Sequence, residues 1–281
     1  MNTALLSKLG IKLLASTIVT DCMYNNLSNP KPIITKSLNK KITILMTSYN
    51  EEETIQKSLE SLVTQNYYIN NLDDIEIMVV SGYSTDNTEN IIQDMSNKYG
   101  IKYLIPPYEK KALTQSRNYG IQNSIGEIIV NVDADTVYNR NFLDYLLAPF
   151  HNSNTAGVSG LKVEKGSTYM INKLHTLLAY LGQKIKNTCK LDGCVRAFRK
   201  DLYYIIGGLP EANNAYSASQ TLISEEVEFA NKLNLYGKIL FEPNAIGYHY
   251  GTWKYTSRKT CNKNSTNQYC KDMGINKIGE T

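Results

Sequence analysis

Two aspartates with one residue between them, Asp133 and Asp135, close the apolar run Ile128-Ile129-Val130-Asn131-Val132. Carboxylates this close repel one another, and burial strips them of hydration. A divalent cation removes that cost. Mg²⁺ is commonly held by one or two carboxylates together with substrate phosphate oxygens. The pair therefore points to a metal–diphosphate site. An Asp-x-Asp triplet alone also occurs where a strand runs into an acidic turn, so the surrounding elements must decide.

The run before the aspartates is rich in β-branched residues and bounded by Gly126-Glu127 and Asn139. It reads as a buried parallel strand. Open α/β sheets bind ligands beyond the carboxyl ends of such strands. Upstream, Ile42–Met46 and Ile75–Val80 read as further buried strands, and Ile101–Ile105 as a short one stopped by Pro106-Pro107. Between them lie helical patterns. Asn50 is placed to cap one, with Glu51, Glu52 and Glu53 in its first turn and Ile55, Leu59, Leu62 and Val63 on its apolar face. Thr85 or Asp86 caps the next, and Gly100 ends it. A third runs from about Ala112 to Ser124. Strand and helix alternating at about 30 residues predict right-handed βαβ units and a mostly parallel sheet.

Beyond Asp135 the rhythm loosens. A helix ending at Pro149, an edge strand over 155–163 and an amphipathic helix from Met170 to Ile185 are expected. A helix opening at Ile223 and late strands at 239–241 and 246–250 follow. The Asn-rich tail after Lys259 reads as poorly ordered.

Composition narrows the class. The 281 residues are 42% hydrophobic and 20% charged, which suits a soluble globular protein. A net charge of +4 with no long basic run gives no argument for nucleic acid. The five cysteines include no C-x-x-C pair, and His151, His175 and His249 lack zinc-ligand spacing. A reducing, cytoplasmic setting is the simpler inference, with a disulfide between Cys261 and Cys270 as the alternative. Lys8 and Lys12 interrupt the apolar stretch 4–19, far short of the ~20 residues that span a bilayer. It reads as a packed or frayed terminal helix, with peripheral membrane contact as the competing reading. Asn29-Pro30-Lys31-Pro32 marks a linker after it.

Several motifs now stand in order: Thr47-Ser48-Tyr49-Asn50-Glu51-Glu52, Ser84-Thr85-Asp86-Asn87-Thr88, Arg117-Asn118-Tyr119-Gly120, Asp133-Ala134-Asp135, Gly207-Gly208, Glu225-Glu226 and His249. In order and spacing they resemble a family 2 glycosyltransferase of the GT-A fold. The resemblance runs from Lys41 to Gly251. It implies an α/β fold with a Rossmann-like, mostly parallel sheet flanked by helices and a C-terminal acceptor-side part. The implied division is an N-terminal helix and linker (1–39), a GT-A domain (40–256) with its nucleotide-sugar half over 40–136 and acceptor half over 137–256, and a polar tail (257–281).

The resemblance also implies roles. Tyr49 would stack on the nucleobase, Thr47 would contact it through its backbone, and Glu51 belongs to the same nucleotide-sugar-binding set. Lys111 and Arg117 would face the diphosphate or base, where a guanidinium suits phosphate. Asp133 would hold ribose or diphosphate and share with Asp135 and His249 the binding of Mn²⁺ or Mg²⁺. Glu226 falls where the family's catalytic aspartate lies, with Glu225 as the alternative base. Two departures stand out: Glu226 is one methylene longer, and Ser81 occupies the place of an aspartate that reads the base. The implied reaction is metal-dependent, inverting transfer from a nucleotide-sugar donor, UDP-sugar before GDP-mannose, to a hydroxyl acceptor on a glycan, lipid-linked or protein partner. The competitors are transfer to a polyprenyl phosphate and non-catalytic nucleotide-sugar binding.

Overall fold

A computed structural model describes residues 37–107, 113–164, 190–210 and 225–250. In chain order these form β1 (Ile42–Ser48), α1 (Ile55–Val63), α2 (Asn66–Asn70), β2 (Ile75–Ser81), α3 (Thr88–Tyr99), β3 (Lys102–Leu104), α4 (Leu113–Gln122) and β4 (Ile128–Asp133). Then come β5 (Thr136–Tyr138), α5 (Phe142–Leu147), β6 (Thr155–Glu164), β7 (Val195–Arg199), α6 (Lys200–Ile205), α7 (Glu225–Leu233) and β8 (Lys238–His249). The expected N-terminal helix and linker, the Met170–Ile185 helix and the tail lie outside the described residues, as does Lys111.

One sheet has the order β3-β2-β1-β4-β7-β6-β8-β5. β3, β2, β1 and β4 are mutually parallel. β7 opposes both β4 and β6, β8 runs parallel to β6, and β5 opposes β8. All strands except β7 and β5 thus share one direction, the mostly parallel α/β arrangement expected. β5 follows β4 after only two residues, Ala134 and Asp135, yet pairs at the far end of the order. The sheet must curl for this to happen, and the curl brings β8 back to the rim where β4 ends.

The central strands β1, β2 and β4 are buried over nearly their whole length because both faces are covered. Every residue of β1 is buried. Ile42, Ile44 and Met46 pack on one face with Leu59, Leu62 and Ile92 from α1 and α3. Leu45 turns to the other face, with Ile121, Phe198 and Phe229. Burying such a side chain fully stabilises the fold by about 1.5–3 kcal/mol. α3 ends at Gly100, whose φ of 69° is left-handed and suits a residue without Cβ.

Some boundaries differ from the sequence expectation. α1 starts at Ile55 after the N-cap Thr54, not after Asn50. Asn50 has φ of 54° and its Oδ1 accepts a hydrogen bond from Thr85 N at 2.8 Å. It therefore ties the β1–α1 loop to the β2–α3 loop instead of capping a helix. The N-cap position of α3 is Asn87, not Thr85 or Asp86, and makes no side-chain cap hydrogen bond, while Asp86 Oδ1 accepts from Thr88 N at 3.0 Å. β6 is an interior strand between β7 and β8, not an edge. The two late strands are one, β8, whose pairing with β6 jumps between Phe241 and Ile246. Pro243 falls in that irregularity, where a missing N–H is tolerated.

Candidate active site

The chain runs outward through β1, β2 and β3 on one side, then returns to β4 on the other. The crevice at such a reversal, beyond the carboxyl ends of the strands, is where open α/β sheets bind ligands. Thr47 is in register with Asp133, and Ser48 with Ser81, so these residues form one row along that rim. Tyr49 follows directly and is half-buried. Glu51 lies in the same loop, its carboxylate accepting from Thr54 Oγ1 at 3.1 Å and its backbone N–H donating to Thr88 Oγ1 at 2.8 Å.

The turn after β4 is built from several sides. Ser58 Oγ of α1 donates to Ala134 O at 2.7 Å. Tyr138 OH accepts from Asp133 N at 2.8 Å and donates to Cys194 O at 3.0 Å. Tyr250 N donates to Asp135 O at 2.8 Å. Thr136 pairs with His249 across β5 and β8, which sets the His249 ring beside Asp135, Nε2 to Oδ2 2.9 Å. Burial raises the Asp135 pKa, but the hydrogen bond and charge of His249 outweigh it and hold the carboxyl below its ordinary value. Asp133 moves the other way. Burial lifts it, Arg117 opposes the rise and Asp135 adds to it.

Arg117 joins the rim to the second half of the domain. Its Nη2 lies 3.0 Å from Asp133 Oδ1 and donates to Gly193 O at 3.3 Å, and its Nη1 lies 3.7 Å from Glu225 Oε2. Burial disfavours its charge, yet Asp133 and Glu225 more than compensate, so the guanidinium is held firmly protonated. Gly193 makes the approach feasible, since a Cβ there would sit 3.0 Å from both terminal nitrogens of Arg117.

The adjacent glutamates have different partners. Glu225 Oε1 meets Arg196 Nη2 at 2.8 Å, and Arg196 is fully buried, lying over the Phe198 and Phe229 rings. Glu225 is thus shared by two buried guanidiniums. Glu226 Oε1 accepts from Gly193 N at 2.9 Å, and Oε2 lies 3.0 Å from Lys190 Nζ. Both Glu226 and Lys190 retain about a quarter to a third of their side-chain exposure, 26% and 37%. Burial disfavours the Lys190 ammonium, but Asp192 and Glu226 outweigh it. Asp192 in turn accepts from Cys194 N at 3.3 Å and Cys194 Sγ at 3.0 Å.

The structure therefore gathers Thr47, Tyr49, Ser81, Asp133, Asp135, Arg117, Glu225, Glu226 and His249 around one rim and its connected network. Sequence reasoning missed Lys190, Asp192, Arg196 and Tyr138. Asp192-Gly193 is a turn signal, but nothing local to it points to Glu226.

Asp135 and His249 offer an oxygen and a nitrogen to a cation. Among the described residues no group of three or more His, Cys, Asp or Glu is gathered to hold a metal ion. A Mg²⁺ ion held by one or two carboxylates commonly takes its remaining positions from substrate phosphate oxygens and water. A closed structural site would need four protein ligands.

The curled sheet and its acidic rim define an α/β protein of the GT-A glycosyltransferase type. A mannosyltransferase from Pyrobaculum calidifontis, solved with GDP-Man and Mn²⁺, superposes with a TM-score of 0.59 at 18% identity, covering 87% of this chain and 68% of that one. The chain belongs to glycosyl transferase family 2, whose family model matches residues 43–204. Among its relatives, the probable glycosyltransferase YdaM of Bacillus subtilis is 28% identical over 82% of this chain and 56% of that protein. The poly-beta-1,6-N-acetyl-D-glucosamine synthase of Staphylococcus epidermidis is 25% identical over 77% of this chain and 53% of its own length. The chain thus spans about half the length of these relatives. Among the described residues no helix is long and apolar enough to cross a membrane.

Proposed function

We propose that this chain transfers a sugar from a nucleotide-sugar donor to an acceptor hydroxyl, with inversion, using Mn²⁺ or Mg²⁺. The observation that carries the reading is Arg117, one buried cation touching Asp133 at the rim and Glu225 beside Glu226. Asp133 and Glu225 thereby belong to one network. UDP-sugar is the first donor candidate and GDP-mannose the next.

Glu226 is the base. Its carboxylate takes the acceptor O–H proton as the acceptor oxygen bonds to the anomeric carbon. The bond from that carbon to the diphosphate oxygen breaks, and its electron pair leaves with the nucleoside diphosphate. Attack opposite the leaving group inverts the centre. Asp135 and His249 would hold a divalent cation, which would supply charge neutralisation for the diphosphate. Asp133 orients the donor's ribose or diphosphate, and Tyr49 stacks on the base. Glu225 holds Arg117 and Arg196 in place.

The experiment is release of nucleoside diphosphate from UDP-sugars and GDP-mannose, with Mn²⁺ and with EDTA. Release that needs the cation is expected. Donor binding without release from any of them would make the chain a nucleotide-sugar binding protein instead.

A further inference from the structure

Glu226 is one methylene longer than the aspartate expected at its position, and that extra bond must be held if the carboxylate is to meet an acceptor in one orientation. The turn ahead of β7 holds it at three points. Leu191 N donates to Glu226 O at 3.4 Å, Gly193 N donates to Oε1 at 2.9 Å, and Lys190 Nζ lies 3.0 Å from Oε2. A single hydrogen bond at Oε1 leaves a carboxylate free to pivot about that contact, and the second, at Oε2, fixes its plane. Each carboxylate oxygen carries two lone pairs, so both contacts leave room for an acceptor O–H.

Lys190 is itself held from behind. Its Nζ lies 3.6 Å from Asp192 Oδ2. Asp192 Oδ1 is occupied by Cys194 N and Sγ, and its backbone N–H donates to Ser159 Oγ of β6 at 3.1 Å. The ammonium therefore stands between two carboxylates, one tied to the sheet and one in the first turn of α7. Burial disfavours its charge, but Asp192 and Glu226 outweigh that, and it stays protonated.

We infer that Lys190 is a positioning residue for the transfer step, acting through Glu226 and anchored by Asp192. This rests on the reading of Glu226 as the base. When Glu226 takes the acceptor proton, its charge is gone and its ion pair with Lys190 weakens. Asp192 keeps its own charge and retains the ammonium at the turn. Once the proton passes to solvent, Lys190 is in place to draw Oε2 back to the same orientation. Lys190 neither gains nor loses a proton in this cycle. Misplacing a reacting group by about 1 Å can cost about 10²-fold in rate.

The test is steady-state release of nucleoside diphosphate by the full chain with Mn²⁺, using the UDP-sugar or GDP-mannose that turns over, with water as acceptor. Sites are counted by calorimetry with the matching nucleoside diphosphate, so a reduced folded fraction does not alter kcat. Lys190→Met removes the charge and keeps an unbranched stem. It should lower kcat at least tenfold and leave the donor KM within about twofold of wild type. Lys190→Arg, a cation able to reach both carboxylates, should recover at least threefold of that loss. If Lys190→Met binds no nucleoside diphosphate, Lys190→Gln takes its place and must show the same split. A kcat within about twofold of wild type overturns the inference, as does a Lys190→Arg chain no faster than Lys190→Met. Glu226→Gln, measured beside them, separates the two readings. Loss of release in Glu226→Gln beside a full rate in Lys190→Met strikes the role of Lys190 alone. Near-normal release by Glu226→Gln overturns the base reading, and this inference with it.

Discussion

The adjacent glutamates make opposite predictions, because one faces buried arginines and the other a half-exposed lysine. Glu225→Gln keeps an oxygen for Arg196 Nη2, now 2.8 Å away, but removes the charge. Arg196 has no exposed side-chain surface, and its Nε already has no partner. Breaking a buried pair from one side costs about 3–5 kcal/mol. Here the lower end, about 3 kcal/mol, is the better figure, because Glu225 is 21% exposed and Arg117 still has Asp133. For a domain of this size that is a fall in Tm of roughly 6–12 °C. Glu226→Gln breaks only the pair with Lys190, which is 37% exposed, and such partly exposed pairs contribute about 1 kcal/mol or less. If Glu226 is the base, its amide should instead lose about 10²–10⁴ in transfer rate. Urea unfolding and initial rates, measured on both variants, separate the roles. A Glu225→Gln protein of wild-type stability with no activity, beside a stable and active Glu226→Gln protein, would refute this assignment. Near-normal transfer by Glu226→Gln alone would point to an acceptor that needs no base, such as a phosphate.

Three further perturbations follow from the geometry. In the wild-type chain, UDP with Mn²⁺ at 100 times its dissociation constant should stabilise the fold by about 2.7 kcal/mol. Asp135→Asn should abolish the Mn²⁺-dependent part of that gain in a thermal-shift titration, and its survival would place the cation elsewhere. The Asp135 carboxyl titrates lower in the folded chain than in the unfolded one. Its stabilising contribution is therefore complete above about pH 4 and is lost as pH falls through the depressed folded-state value. The same Asp135→Asn variant should flatten that acid limb in urea midpoints measured against pH. Tyr138→Phe removes the hydroxyl that bridges Asp133 N and Cys194 O, leaving both unpaired in a buried turn. Equilibrium unfolding should register a loss of about 1–3 kcal/mol, and a neutral result would mean that another group satisfies that turn.

What could be read along the chain is what depends on near neighbours. β1, β2 and β4 carry apolar runs with one polar residue inside each, Thr43, Glu76 and Asn131, because central parallel strands are covered on both faces, and that pattern is local. Gly100 showed the end of α3 for the same reason. Strand order is not local: β6 reads as an edge until β8 is known to pass outside it. Asn50 has the right side chain for a cap, but Thr85, 35 residues away, takes it.

The site divides along the same line. Asp133 and Asp135 announce themselves because their cost is visible in three consecutive residues. Arg196 looks like any strand arginine until Glu225, 29 residues on, is placed against it. Lys190 gains meaning only from its contact with Glu226. Ser81 shows the limit most sharply. Compared position by position with an aspartate, it is a lost carboxylate. In the folded chain a carboxylate lies 3.1 Å from its hydroxyl, supplied eight residues later by the first turn of α3. The partner of a strand-end hydroxyl is therefore set by where atoms arrive in space, and a helix start packed beside the strand end can supply it from eight residues away.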